Sequence, residues 1–198
     1  MKPLRVSGVV LAAGPSKRFG VDPPKQLALV DGEPMVCRVV RQALGSQLSE
    51  VIVVVGMAAA RVEGALQGLE VQIARNPDYE DGQSTSVRVG LQAAVNSASA
   101  AMFIPGDQAR LSTAVIDALI DLYRQTGAPI VVPVHGGERG APVVIDRELF
   151  GELVTIEGDA GGRQIFPAHE ESIAELSLSS SAPLDDVDFP GDLPRRDD

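Results

Sequence analysis

Tryptophan is absent from the 198 residues, cysteine occurs once and histidine twice. One thiol, Cys37, cannot close an internal disulfide, and Cys37, His135 and His169 are too few and too scattered for a structural zinc site. No apolar run reaches the roughly 18 residues needed to cross a bilayer, and Met1-Lys2 leads into a strand-like segment without the apolar stretch of a signal peptide. These absences exclude a disulfide scaffold, a zinc module and a membrane span, and leave the expectation of a soluble, cytoplasmic protein.

Lysine is also scarce, and Lys2, Lys17 and Lys25 all fall in the first 25 residues. The formal net charge is -10, divided unevenly: residues 1–99 carry 10 basic against 9 acidic groups, residues 100–198 carry 7 against 18. A polyanion needs a basic face, so nucleic acid is not an expected partner; a small anion held near the N-terminal basic groups is.

What is present reads as alternating strands and helices. Val6–Leu11 and Val51–Val55 are short apolar runs ending near glycine, as expected of strands buried on both faces. Between them Pro34 opens a helical pattern of Met35, Val36, Val39, Val40, Ala43 and Leu44. The alternation continues with a helix near 59–66, a strand at 71–74, a helix near 84–95, a strand at 101–104, a helix near 113–123 and a strand at 130–133. Beyond Pro133 it loosens into glycine-rich loops, a short strand at 142–145, a short helix at 147–153 and a polar stretch at 177–181. The pattern predicts one α/β domain over 1–193, a three-layer α/β/α arrangement on a mostly parallel sheet, and a disordered tail at 194–198. Ligands are expected at the carboxyl ends of the strands, first at Ala13–Gln26 and at Gly106–Arg110.

The segment Leu11-Ala12-Ala13-Gly14-Pro15-Ser16-Lys17-Arg18-Phe19-Gly20, with Lys25 just beyond, combines tight-turning glycines with hydroxyl and cationic donors. It can cradle phosphate or serve as a solvated connector. It is neither the dinucleotide fingerprint G-x-G-x-x-G nor a Walker loop ending in G-K-[ST]. Asp107 stands just past an apolar strand, where a lone carboxylate suits Mg²⁺ shared with phosphates; Ser112 is the better cap for the helix at Thr113. One hydroxyl of Ser84-Thr85-Ser86 is expected to cap the helix that follows, and that helix start, with Gln83, can also offer donors to a nucleotide. Arg139-Gly140 and Gly158–Arg163 are either turns or substrate loops in which Arg139 and Arg163 grip a phosphate monoester.

Leu11, Gly14, Arg18 and Lys25 together resemble the signature loop of nucleotidyltransferases that activate sugars, polyols and pterins. The chain is most similar to the MobA-like, molybdenum-cofactor branch. Further segments agree in order: Asn76–Leu91, Pro105-Gly106-Asp107-Gln108, Arg139-Gly140-Ala141-Pro142, Gly158–Arg163 and Asp186-Val187-Asp188-Phe189-Pro190-Gly191-Asp192-Leu193. The resemblance implies a Rossmann-like nucleotide-diphospho-sugar transferase fold. It also implies Arg18, Lys25 and Asp107 as catalytic groups, and a nucleotide held by Leu11, Ala12, Ala13, Gly14, Ser16, Lys17, Arg18, Lys25, Gln83, Ser86 and Gly106. The acceptor would meet Arg139, Gly140, Asp159 and Arg163, and Mg²⁺ would meet Asp107 with Asp188, or Asp186 in its place. Leu-Ala-Ala-Gly and Gly-Asp-Gln resemble the users of CTP, so Ala13 implies transfer of CMP from CTP to molybdopterin, with a molybdoenzyme or its maturation factor as a further partner. Where the branch has histidine and proline, Ala141 and Ala109 stand here, so a sugar or polyol phosphate acceptor and a non-catalytic binding protein remain alternatives.

Overall fold

The structure is a computed structural model, and it describes residues 4–15, 19, 22–94 and 98–193. Its strands are β1 (Val6–Ala12), β2 (Leu29–Val30), β3 (Glu33–Pro34), β4 (Glu50–Val55), β5 (Gln72–Arg75), β6 (Ala100–Pro105), β7 (Ile130–His135), β8 (Glu138–Arg139), β9 (Val143–Asp146) and β10 (Ile173–Ser177). Five α-helices accompany them: α1 (Met35–Leu44), α2 (Ala59–Ala65), α3 (Gln83–Ala94), α4 (Thr113–Thr126) and α5 (Phe150–Leu153).

The apolar runs do become strands buried on both faces, and their two-residue period divides the core. Val6, Val10, Val51, Val53, Val55, Met102 and Ile104 face one layer, where they pack with Val36, Val39 and Val40 of α1, Val62 of α2 and Ile116 and Leu119 of α4. Val9, Ile52, Val54, Ala101 and Phe103 face the other, against Val87 and Leu91 of α3 and Phe150 and Leu153 of α5. A continuous apolar strand therefore requires helices on both sides, and the three-layer arrangement follows.

The sheet order is β10-β7-β9-β6-β1-β4-β5, with β8 paired to β7. β1 runs parallel to β4 and β6, β4 to β5, and β7 to β10, whereas β9 is antiparallel to both β6 and β7, and β8 to β7. The antiparallel part is a departure from the uniform alternation, and chain length explains it. Gly136 and Gly137, at φ +59° and +87°, turn the chain tightly into β8, and no helix separates β7 from β9, whereas a parallel neighbour needs a long crossover. Two further elements went unforeseen. β10 is a half-exposed edge strand with Glu175 at its centre, and the β2–β3 hairpin turns on Asp31-Gly32, both at positive φ. The tail at 194–198 lies outside the described residues.

The helices end as their sequences direct. Ser112 caps α4 by accepting from the N–H of Val115, and Gly127, at φ +62°, closes it. α3 crosses the sheet at Gly90, where an added Cβ would stand 2.2 Å from Cγ1 of Val9 and 3.1 Å from Cγ2 of Val54. Overpacking costs about 1–3 kcal/mol against a helix-propensity gain of about 1 kcal/mol. Gly90→Ala should therefore destabilise by about 1 kcal/mol, lowering Tm by about 2–4 °C; an unchanged or raised Tm in thermal unfolding would contradict the close packing.

Candidate active site

Two adjoining cavities open at the carboxyl ends of β1 and β6. The first, of about 350 Å³, lies between the loop after β1 (Ala13, Gly14) and the start of α3 (Gln83, Ser86), with Gly106 and Asp107 at its floor. The second, of about 420 Å³, has an apolar wall of Val87, Phe103, Val143 and Ile145 and a polar rim of Asp159, Arg163 and Asp186. Leu11, Gln83, Pro105, Asp107 and Asp159 line both, so Asp107 stands where the contents of one cavity would meet those of the other.

Three charged groups converge there from distant parts of the chain. The Lys25 ammonium donates to Oδ2 of Asp107 at 2.6 Å and to Oδ1 of Asp188 at 3.4 Å. Lys25 belongs to a short 3-10 turn, Lys25–Leu27; Asp107 follows β6; and Asp188 comes from the closing stretch, where the buried Val187 donates its N–H to the carbonyl of Asp107. Burial works against the ammonium, but the charges and hydrogen bonds of Asp107, and then of Asp188, outweigh it, so the Lys25 pKa lies above its ordinary value. Asp186 responds in the opposite way. Although exposed as a residue, its carboxyl is pushed up to about 6, by loss of solvent first and by the neighbouring Asp107 second, against a hydrogen bond from Gln108. Among the described residues no group of three or more His, Cys, Asp or Glu side chains is arranged to hold a metal ion. The two carboxylates that share Lys25 nevertheless form a hard-oxygen pair that suits Mg²⁺ or Mn²⁺ when phosphate and water complete the shell.

Backbone organisation follows from a few buried amides. Gln26, 5% exposed, donates from Nε2 to the carbonyl of Gly14 and holds the end of the loop. Asn76, 2% exposed, donates from Nδ2 to the hydroxyls of Thr85 and Ser86 and accepts from the N–H of Asp78. The Thr85 hydroxyl in turn donates to the carbonyls of Asp78 and Gly82. Of the hydroxyls expected to cap α3, those of Thr85 and Ser86 accept from Asn76, which ties β5 to the helix start. Gly161, at φ +53°, lies so close to Gln83 that a Cβ would stand 2.3 Å from its Oε1; the expected glycine loop at 158–163 is instead part of the 3-10 segment Gly158–Ala168, kinked at Gly161 and packed against the start of α3.

Most expected site residues meet here: Leu11, Ala13, Gly14, Lys25, Gln83, Ser86, Gly106, Asp107, Asp159, Arg163 and Asp188 all line one cavity or both. Others are placed differently. Ala12 is buried in the core on the α1 side of the sheet, because the strand period turns it away from Leu11 and Ala13. Arg139 gives its guanidinium to Glu170, through two bonds of 2.7 and 2.8 Å, and to Glu175 at 2.7 Å, while Gly140 lies against Leu184. Ser16, Lys17 and Arg18 lie outside the described residues. Gln26, Tyr79, Glu80 and Gly82 also line the first cavity, and Asp186 the rim of the second. Gln26 closes the expected stretch Ala13–Gln26, and Tyr79, Glu80 and Gly82 fall within the segment Asn76–Leu91, but neither stretch singles them out, since a short turn displays no period.

A family model described as the MobA-like NTP transferase domain matches residues 8–173. The bifunctional protein GlmU of Carboxydothermus hydrogenoformans is 31% identical over 176 residues, which are 87% of this chain and 37% of that protein, so the chain spans little more than a third of that relative. The nicotine blue oxidoreductase of Paenarthrobacter nicotinovorans is 28% identical over 92% of both chains. A probable molybdenum cofactor guanylyltransferase of Mycobacterium marinum is 28% identical over 96% of this chain and 92% of its own. Among solved structures, Rv0371c of Mycobacterium tuberculosis superposes with a TM-score of 0.82 at 28% identity over 94% of both chains. A manganese complex of Rv0371c reaches 0.75 at 26% identity, covering 98% of this chain and 95% of that one. Among the described residues no helix is long and apolar enough to cross a membrane. With the family model covering most of the sheet and the lining of both cavities apart from Asp186 and Asp188, the chain belongs to the MobA-like nucleotidyltransferase family.

Proposed function

We propose that this chain is a Mg²⁺-dependent nucleotidyltransferase that moves CMP from CTP onto the phosphate of molybdopterin or a related cofactor, releasing pyrophosphate. The observation that carries this reading is the meeting of Lys25, Asp107 and Asp188 at the junction of two cavities. An acceptor phosphate oxygen forms a bond to the α-phosphorus in line with the bond that breaks, and pyrophosphate departs with that electron pair. A phosphate monoester is already nucleophilic, so the site needs no general base, and neither histidine stands in it: His135 faces the carbonyl of Leu178 and His169 faces Glu152.

The chain supplies position and charge. Lys25 holds triphosphate oxygens, joined by Arg18 and by Ser16 and Lys17 of the loop. Asp107 and Asp188 would hold a divalent metal ion, which neutralises charge on the reacting phosphates when bound. Gln83 and Ser86 face base and ribose, and the apolar wall of Phe103, Val87 and Val143 fits a flat acceptor ring. Arg163 is the cation in the wall of that second cavity and the group that would meet an acceptor phosphate, since Arg139 is held by two glutamates. Cytoplasmic action and hand-over of the product to a molybdoenzyme or its maturation factor complete the reading.

Calorimetric titration with CTP, GTP, UTP and ATP, each with and without Mg²⁺, tests it. Tight, metal-dependent CTP binding is expected, followed by pyrophosphate release with molybdopterin. Ala13→Gly should shift the CTP/GTP preference, because a side chain at this loop position limits how closely a purine approaches the backbone; an unchanged ratio removes Ala13 as the selector. The guanylyltransferase name of one relative makes GTP the direct competitor. A relative matched over 92% of both chains is named an oxidoreductase, so likeness at this level does not by itself carry nucleotidyl transfer; the second reading is a nucleotide- or cofactor-binding protein of the same fold without turnover. Triphosphate binding with no pyrophosphate release on molybdopterin, sugar phosphates or polyol phosphates would select it.

A further inference from the structure

Asp188 reaches the junction from the closing stretch, and its backbone is held on both sides. Before it, Val187 packs with Val30, Met35 and Ala109 and donates its N–H to the carbonyl of Asp107 at 3.1 Å. After it the chain turns through Phe189-Pro190-Gly191, and the carboxylate of Asp192 folds back over the turn. One oxygen, Oδ2, accepts both the N–H of Asp188 at 3.1 Å and the N–H of Phe189 at 2.8 Å. Asp192 is the third residue of a 3-10 turn, Pro190–Asp192, so the bonds are the acidic half of a capping box; Phe189 has no side-chain acceptor to return one.

We infer that Asp192 is a positioning residue for the Asp188 carboxylate, an inference that rests on the reading of Asp107 and Asp188 as the metal-holding pair. The two bonds close a five-residue loop on the residue that must face Lys25 and Asp107. The arrangement needs an oxygen acceptor four residues after Asp188 and makes no demand on Phe189 or Gly191 beyond the turn. Groups that orient a metal-holding side chain contribute about 10–100-fold to metal affinity when removed. Asp192 touches neither of the other charged groups at the junction: its engaged oxygen is turned to backbone N–H groups.

The test is titration of the full chain with Mn²⁺ alone, reading free ion by electron paramagnetic resonance, for wild type, Asp192→Ala, Asp192→Asn and Asp188→Ala. Asp192→Ala should weaken Mn²⁺ binding about tenfold with Tm close to wild type, and Asp192→Asn, which keeps an oxygen acceptor, should recover most of it. A purely structural role would not give that rescue. Wild-type affinity in Asp192→Ala, with affinity lost in Asp188→Ala, would overturn the inference and leave the metal pair standing. Wild-type affinity in Asp188→Ala would overturn both. If Asp192→Ala does not fold, Asp192→Asn decides alone: affinity within about threefold of wild type is expected, and a tenfold loss overturns the inference.

Discussion

Replacing Asp107 by alanine is expected to lower the rate of pyrophosphate release by at least about 10³-fold while leaving the fold intact. The rate effect follows from position: Asp107 lines both cavities and meets Lys25 between them, and loss of electrostatic stabilisation at the reacting phosphates costs about 3–4 kcal/mol, or 10²–10³ in rate, before metal affinity is counted. The stability effect is small for three reasons. The side chain is 24% exposed and its ion pair is with Lys25, which retains Asp188. Its backbone carbonyl, the group that anchors Val187, survives the substitution. Removing its charge also relieves Asp186, whose carboxyl is held near 6 in part by Asp107. Pyrophosphate release and thermal unfolding measured on the same preparation check both halves, and turnover within tenfold of wild type would remove Asp107 from the mechanism.

Lys25→Ala is expected to weaken triphosphate binding by about 10–100-fold, roughly 1.4–2.7 kcal/mol. Two effects act in the same direction. A charge-assisted donor to phosphate is lost, and the Asp107 and Asp188 carboxylates, no longer neutralised, repel the incoming anion. Because the Lys25 pKa is raised above 10.5, its stabilising contribution is complete below that value and fades only as pH rises through the higher folded one. Triphosphate affinity should therefore show no step between pH 6 and 9 that Lys25→Ala abolishes. Calorimetry across that range measures it, and an affinity equal to wild type in the variant would take Lys25 out of the site.

The sheet was legible where physics writes a period into the chain. Val6–Leu11 and Val51–Val55 read as doubly buried strands, and α1 and α4 displayed apolar stripes with their start signals at Pro34 and Ser112. β9 and β10 were harder. Direction is set by the length of a connection rather than by the composition of a strand, and an edge strand with Glu175 inside it has little apolar character to display. In the site, Lys25, Asp107 and Asp188 could be singled out because each sits beside a recognisable segment. Their mutual approach within hydrogen-bond distance is a tertiary fact. Arg139 shows the converse: its neighbourhood of glycine and proline suggested a phosphate grip, while Glu170 and Glu175, more than 30 residues later, claim it. Asn76 and Gln26 were legible only as polar residues; burial turns them into the fasteners of the loop after β1 and of the start of α3.

The antiparallel insertion of β9 between β6 and β7 also sets a schedule for synthesis. The neighbours β5, β4, β1 and β6 are complete once residue 105 has been made, so a growing chain can assemble four parallel strands with α1, α2 and α3 while the rest is still on the ribosome. Until residue 146 emerges, β6 is an open edge bearing unpaired backbone groups, and β7 cannot join the sheet at all because its neighbours are later strands. Asp188 arrives last, about 40 residues after that gap closes. Nascent chains halted before β9 should carry a template for misassociation, and the carboxylate pair comes into being only when the sheet beneath it is already sealed.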